Sequence, residues 1–596
     1  MQLGSLDWLI LGGFFVLSIA IGLRVSRTAG SDFSSFFLAG RNQPWWLLGV
    51  SMVATTFSTD TPNLIADIVR RDGVLGNWTW WAFLLSGMLT VFLYAKLWRR
   101  SGTCTDVEFY ELRYSGRTAA FLRAFRGVYL GLVFNVLIMA AVTLAAIKIG
   151  SVMFGWSPLQ TVVIAAGVTL AYSTLGGLQG VLLTDLVQFA MAMTGSVAAT
   201  IYILGLPEVG GLKSLLAHPA VQGRLEIWPS LETMSWSDLA PVFLMPLLVQ
   251  WWAAYYPGSE PGGGGYLVQR MLSAKNENHA LAATLIFNLL HYAVRPWPWI
   301  LVALASMIVF PGLEDIQQRF PHVAEQVVRN DLAYPAMLTF LPPGLLGLVV
   351  TSLAAAYMST MSTSVNWGSS ILVNDVYRRF LRPNASEPQL VWVGRLSTVL
   401  LMAAACTVSL LIDSALGVFQ LLLQIGAGTG LLFLLRWFWW RINAATELAA
   451  MVASFTVALL IPHFGNGLDS WQQLLAGVGL TTLCWLPFAF FGFETEERTL
   501  VNFYRTIRPG GPGWSRIARI AGPDTGSTPP EPLTRSILAA ALGSAAIYAS
   551  LFGTGYILYG RPGIAIALAC IAALAAGGCA HVWLRATKPL GRGGHG

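Results

Sequence analysis

Long apolar stretches, separated by short polar or charged intervals, run from one end of the chain to the other. A membrane-crossing helix needs about 20 mostly apolar residues. By that length the pattern predicts about fifteen spans, at 6–25, 45–70, 78–98, 121–150, 158–175, 180–206, 239–257, 280–310, 344–375, 391–412, 415–440, 445–463, 471–492, 535–559 and 563–584. Their spread along the whole chain argues for one polytopic all-α membrane protein and against an anchored soluble domain. The first span follows Asp7 with no basic segment ahead of it, so it reads as a retained helix and not as a signal peptide.

Two spans are interrupted. The middle of 45–70 reads Thr55-Thr56-Phe57-Ser58-Thr59-Asp60-Thr61-Pro62. An aspartate at membrane depth costs roughly 2.5–3.5 kcal/mol on insertion scales and marks a functional site by default. Pro62 has no N–H to donate and disfavours helix at Thr61, so the helix should break there and leave carbonyls open. Such backbone survives in a membrane only inside protein or against a wet cavity. A helix kinked for packing, with Asp60 held by its neighbours, is the plainer alternative. The second interruption is in 239–257, with Pro241, Pro246, Gln250 and Tyr255-Tyr256-Pro257-Gly258, followed by Gly262–Gly265. Broken segments five spans apart point to two inverted repeats with a site between them. The glycines follow no strand and form no nucleotide-loop frame, so a flexible cytoplasmic connector is expected there.

Composition agrees: 55% of the residues are hydrophobic and 11% charged, against about 25% charged in a soluble domain. The surplus of basic residues does not signal nucleic acid. With the N-terminus outside, 27 of the 36 Lys and Arg residues fall in the alternate loops that face the cytoplasm, as the positive-inside rule requires, and the C-terminus is then cytoplasmic. The five cysteines are scattered in apolar segments and read as packing residues. No nucleophile–base pair, metal cluster or carboxylate pair gathers at one depth, so an enzyme is not expected.

The ninth span is unusual for its hydroxyls, Ser352, Ser359, Thr360, Ser362, Thr363 and Ser364. Such side chains back-bond to their own helix or bridge helices. Equally, Ser359 and Thr360 together with carbonyls from a broken helix offer the neutral oxygens that a hard monovalent cation such as Na⁺ takes.

Four motifs give the chain a resemblance. Phe36-Phe37-Leu38-Ala39-Gly40-Arg41 with Trp45-Trp46 is the first, and Tyr172-Ser173 through Gly176-Gly177-Leu178 to Thr184-Asp185 and Gln188 the second. The third is Tyr266 to Arg270 with Ala274-Lys275, and the fourth Ala356, Ser359 and Thr360 with Asn366, Asp375 and Tyr377. In order and spacing they resemble the sodium:solute symporter family, which includes sodium-dependent glucose, proline and pantothenate carriers. The resemblance implies a ten-helix core of two inverted five-helix repeats with broken first helices, working by alternating access in the inner (plasma) membrane. It implies a Na⁺ site built from the carbonyls of Ala54, Phe57 and Ala356 and the hydroxyls of Ser359 and Thr360, with Asp185 on the inward release route. It also implies a solute pocket lined by Thr56, Asp60 and Thr61 from one broken helix and Ala253, Tyr255 and Tyr256 from the other. The sugar carriers place an amide side chain where Ala253 stands and larger polar residues near Thr61, and that departure argues against a sugar.

Arg295, in His291-Tyr-Ala-Val-Arg295-Pro-Trp-Pro, falls halfway along the eighth span. A midplane arginine faces the interior and needs a partner. One reading is a structural pair with Asp60 or with carbonyls freed by the prolines. The other is a guanidinium that grips a solute carboxylate, making the solute an organic acid or amino acid. The expected organisation is an additional helix and cytoplasmic loop at 1–44, the transport core at 45–441, two peripheral helices at 442–492, a cytoplasmic linker at 493–534 lying on the inner membrane surface, and two helices with a tail at 535–596. Those last helices pack on a partner, on a second copy or on the bundle. Lys148 is expected to snorkel to the headgroups and His279 to be solvated. A solute sensor without flux, and coupling to protons through Asp60 or Asp185 in place of Na⁺, are the rival functions.

Overall fold

The computed structural model describes residues 3–230, 234–254, 260–464, 467–492, 494–522 and 532–587. These form helices α1 (Ser5–Ala29), α2 (Trp45–Thr56), α3 (Asp60–Asp72), α4 (Val74–Ser101), α5 (Gly116–Phe154), α6 (Pro158–Leu204), α7 (236–253), α8 (Gly265–Ser273), α9 (Glu277–Val309) and α10 (Leu345–Leu381). Helices α11 (Glu387–Ser409), α12 (Ala415–Gly426), α13 (Gly430–Phe438), α14 (Ala444–Phe464), α15 (Ser470–Phe491), α16 (Glu497–Ile507), α17 (Ser515–Ala521), α18 (Leu533–Leu558) and α19 (Pro562–Thr587) follow. Eleven segments among the described residues are long and apolar enough to cross a membrane. The remaining expected spans are the interrupted runs α2–α3, the first half of α6, α7 and α12–α13.

The break in the second span falls ahead of the expected Thr61, which is itself helical. Phe57 leaves helical geometry (φ −90°, ψ 84°) and its N–H turns back to the carbonyls of Val53 and Ala54. Helix α3 restarts at Asp60, so Pro62 sits in a first turn, where its missing N–H costs nothing. At the end of α7, Ala254 is extended (φ −94°, ψ 133°) and the chain resumes as helix at Gly265. The spans expected at 158–175 and 180–206 are one run kinked at Gly177 (φ 51°, ψ −159°). A Cβ there would lie 2.6 Å from the Phe36 carbonyl oxygen, so only glycine lets these two motif segments touch.

The motif segments meet on the α2 side of the break. Gln43 and Ala274 pair as a short parallel bridge, and Gln269 donates to the Phe37 carbonyl (3.0 Å) and to Asn366 Oδ1 (2.9 Å). Asp7 of α1 is fully buried and accepts from the N–H groups of Gly344 and Gly347 at 2.6 and 2.8 Å, capping the start of α10.

Three expectations are corrected here. Gly262–Gly265 is not a flexible connector. The segment is buried, Trp98 Nε1 donates to the Gly262 carbonyl at 2.8 Å, and a Cβ on Gly263 (φ 80°) would meet Thr90 at 3.1 Å and Trp98 at 3.2 Å. The linker does not merely lie on a membrane surface. Leu500, Phe503, Ile507 and Trp514 are buried against the core, Trp514 Nε1 donates to the Trp437 carbonyl, and the Arg113 guanidinium stacks 4.8 Å from the Trp514 ring. Lys148 does not snorkel. It is 1% exposed and pairs with Asp331 at 2.5 Å. His279 Nδ1 accepts the Trp45 N–H at 3.0 Å, capping α2. Helix α18 packs on the bundle, with Tyr548 donating to the Trp81 carbonyl and Trp297 Nε1 to the Leu551 carbonyl. Helix α19 keeps an outward apolar face that includes Ile566 and Leu574.

Candidate functional site

Ser359 and Thr360, two of the residues expected to hold the ion, lie where α10 meets α2 and α6, beside Asp185 and Arg270. Asp185 is fully buried and accepts from Ser51 Oγ at 2.5 Å and from Ser359 Oγ at 2.6 Å. Arg270 faces the same carboxylate at 3.8 Å, and donates to Thr363 Oγ1 at 2.7 Å, Ser51 Oγ at 3.3 Å and Gln269 Oε1 at 3.1 Å. Thr360 Oγ1 donates to the Thr55 carbonyl at 2.7 Å, and the Thr55 and Thr363 hydroxyls lie 3.0 Å apart. Thr360 therefore ties α10 to the last turn of α2, one residue from Ala54 and two from Phe57. A hydroxyl whose proton is donated keeps its lone pairs free for a cation, so Ser359 and Thr360 retain their capacity to accept. The arrangement fits a small cation held by hydroxyl and carbonyl oxygens. Among the described residues no three His, Cys, Asp or Glu side chains gather as a metal site.

Four of the residues expected to line a solute pocket, Thr56, Asp60, Thr61 and Arg295, lie around the start of α3. A π-turn at Leu290–Val294 in α9 rotates Arg295 inward, with its N–H bonded to the Leu290 carbonyl at 3.2 Å. Such single wide turns recur at functional sites. Arg295 is 2% exposed. Its Nη1 donates to Thr56 Oγ1 at 3.0 Å, Nη2 approaches His291 Nε2 at 3.4 Å, and the guanidinium stacks 5.3 Å from the Trp299 ring. Its Nε has no partner among the described residues. Thr56 Oγ1 also contacts His291 Nδ1 at 3.0 Å. Asp60 Oδ1 accepts from the Ser58 hydroxyl, and Thr61 donates to the Thr56 carbonyl at 3.3 Å. Thr56, Asp60 and Thr61 remain partly exposed.

Of the predicted residues, Ala54, Phe57, Ser359, Thr360 and Asp185 thus surround the end of α2 and its contact with α10, the helix that also carries Ala356, while Thr56, Asp60, Thr61 and Arg295 surround the start of α3. Ala253 is placed elsewhere. It is fully buried, packs with Ala427, Leu474 and Val478, and its carbonyl accepts from the Gly428 N–H at 2.9 Å. Tyr255 and Tyr256 lie outside the described residues. His291 and Arg270 were not predicted as site residues. His291 stands one helical turn before Arg295 in the sequence, a spacing that puts both on one face. Arg270 was visible only as part of a loop motif.

The profile of the sodium:solute symporter family matches residues 36–454. The chain is 24% identical over 494 residues to the sodium/glucose cotransporter of Vibrio parahaemolyticus, covering 79% of this chain and 88% of that one. It is 25% identical over 503 residues to the sodium/glucose cotransporter 2 of Rattus norvegicus, covering 78% and 72%. Among solved structures, a Na⁺-coupled sialic acid symporter in a substrate-bound outward-open state shares the fold, with a TM-score of 0.65 and 20% identity over 83% of this chain and 100% of that one. With the match covering most of its length, this chain belongs to the sodium:solute symporter family.

Proposed function

We propose that this plasma-membrane Na⁺ symporter carries a small solute bearing a carboxylate, which Arg295 grips at the break between α2 and α3. The observation that carries this reading is a deeply buried guanidinium whose partners among the described residues are the Thr56 hydroxyl and the His291 ring, with Nε unpartnered. The Asp60 carboxylate offsets part of this buried charge, and a solute carboxylate bound by two parallel N–H groups would complete the neutralisation with directional bonds. The sialic acid carried by the structural relative is itself an acid.

Na⁺ binds in this scheme at the carbonyls of Ala54, Phe57 and Ala356 and the hydroxyls of Ser359 and Thr360. By joining α10 to the end of α2 it favours the conformer in which the pocket beyond the break is complete. The α2 side faces the cytoplasm by the distribution of basic residues. It is closed by the Arg270–Asp185 network, and release follows when that network parts and Na⁺ leaves past Asp185. Each charge moved across 100 mV supplies about 2.3 kcal/mol.

A thermal-shift screen of the purified protein tests this. Organic acids or amino acids should stabilise it only with Na⁺ present, by about 2.7 kcal/mol at a hundredfold excess over the dissociation constant. Thr360→Ala should abolish the Na⁺ requirement together with the effect, and Arg295→Gln the solute effect alone. Stabilisation by neutral sugars that survives Arg295→Gln would sink the carboxylate reading. Low pH replacing Na⁺ would shift the coupling ion to the proton.

A further inference from the structure

Beyond the break, α3 presents Asp60, Asn63, Leu64 and Asp67 to a small cavity whose far wall is Lys148 of α5 and Asp331. Asp60, Leu64 and Asp67 are partly exposed, so the cavity is reachable from the α3 side. Its lining holds three carboxylates against one ammonium, and that ammonium is committed to Asp331. Arg295 acts on Asp60 and Arg71 on Asp67 from beyond the lining, so the negative charge is concentrated on the cavity wall itself.

The second observation is Asn63. It is 3% exposed, lines this cavity, and neither its amide oxygen nor its amide nitrogen has a partner among the described residues. Buried polar groups in folded proteins are nearly always satisfied, so an exception asks for a missing partner. Asp60 and Asn63 are three residues apart and share one face of α3. The second oxygen of Asp60 and the amide oxygen of Asn63 can thus contact one ligand. Asp67 lies two turns along and adds potential without contact. The described residues assemble no trio of charged metal ligands, which disfavours a divalent ion.

We propose that this cavity binds a single positive charge, either a Na⁺ ion or the cationic nitrogen of the solute, between the Asp60 carboxylate and the Asn63 amide oxygen. The site lies across the break from Ser359 and Thr360 and does not depend on a carboxylate at Arg295.

The test uses the full-length purified protein and two probes. The first is equilibrium binding of radiolabelled Na⁺, with choline as the replacement cation. The second is thermal stabilisation by the proteinogenic α-amino acids, compared with acetate, propionate, lactate and pyruvate. If the occupant is Na⁺, Asn63→Leu weakens one class of Na⁺ sites by about tenfold, the scale of losing one polar contact to a charged group, while Thr360→Ala removes a different class. If the occupant is the solute nitrogen, Asn63→Leu leaves the Na⁺ isotherm unchanged and removes stabilisation by amino acids but not by the monocarboxylates. Lys148→Gln serves as the variant of opposite sign. Removing the opposing charge should tighten whichever cation binds by several-fold, and so separates a binding effect from general damage. The proposal is overturned if Asn63→Leu and Asp60→Asn leave both the Na⁺ isotherm and the amino-acid response as in the wild type. It is equally overturned if Lys148→Gln, folded by its melting profile, weakens cation binding.

Discussion

The two sides of the α2–α3 break satisfy their polar groups in opposite ways. On the α2 side, both oxygens of Asp185 take a hydroxyl proton and all three guanidinium nitrogens of Arg270 find an acceptor, with every member of the network buried. On the α3 side, both amide atoms of Asn63, Nε of Arg295 and Oδ1 of Asp331 are left without partners among the described residues. Gln188, one turn along α6 from Asp185, also has an unpartnered amide, so the α2 side is satisfied at the Asp185–Arg270 network and not throughout. Unsatisfied buried groups are costly, so those around the start of α3 mark a place where a ligand would complete the bonds.

The sharpest way to break this comparison is to unsatisfy the closed side. Arg270→Ala leaves the Asp185 carboxylate buried with two hydroxyls and no cation. Removing one partner of a buried ion pair costs about 3–5 kcal/mol, so a steep fall in melting temperature is expected. Asp185→Asn added to Arg270→Ala should restore part of it, because a neutral amide needs no counter-charge. A single Arg270→Ala variant that melts like the wild type would show that the network does not hold the closed side together.

Next in size is Arg295→Gln. On the carboxylate reading it weakens solute binding by about 1.5–3 kcal/mol, the value of a hydrogen bond to a charged group, which is roughly tenfold to a hundredfold. The Na⁺-induced thermal shift should stay within error, since Arg295 bonds Thr56 and not the ion ligands. Loss of both responses would mean that Arg295 is structural.

The fold was legible where the sequence carried a local physical signal. Pro62 placed the break to within a few residues, and hydrophobic length located the helices, because both act within one segment. The solute side was harder to read. Arg295 was visible as a charge in an apolar run, but the π-turn that aims it at Thr56 has no sequence marker beyond the prolines after it. His291 carries no signal of its own in the sequence, and its place beside Arg295 is fixed only by the helix that holds both. Gly262–Gly265 misled for a different reason. Glycine runs in isolation are flexible, and only the facing surfaces of Tyr94, Trp98 and Phe433, all distant in sequence, make this one a packed segment. Lys148 misled likewise, since its partner Asp331 is 183 residues away.

Gly263→Ala gives an intermediate test of that packing. At φ 80° a side chain is strained, and its Cβ would crowd Thr90 and Trp98. A loss of roughly 1–3 kcal/mol is expected, read as a lowered melting temperature. No change would restore the flexible connector.

The smallest effect lies at Glu111, outside the spanning helices, where the closed side meets solvent. Burial pushes its carboxyl up, but hydrogen bonds from Arg379 and Arg123 outweigh that and hold it below the usual carboxylate range. The bonds are 2.7 Å from Arg123 and 2.9 Å from Arg379. A carboxyl whose folded value lies below its unfolded one, about 4.3, contributes stability above that unfolded value and loses it as pH falls through the folded one. The wild type should therefore exceed Glu111→Gln at pH 7 by under about 1 kcal/mol, because Arg379 is half exposed and exposed pairs are weak. The gap between the two should close as the pH drops below about 4. Taking the difference between the two proteins removes the acid sensitivity of every other carboxylate. A gap that widens on acidification would mean that Glu111 is held protonated in the fold, contrary to the two arginines that face it.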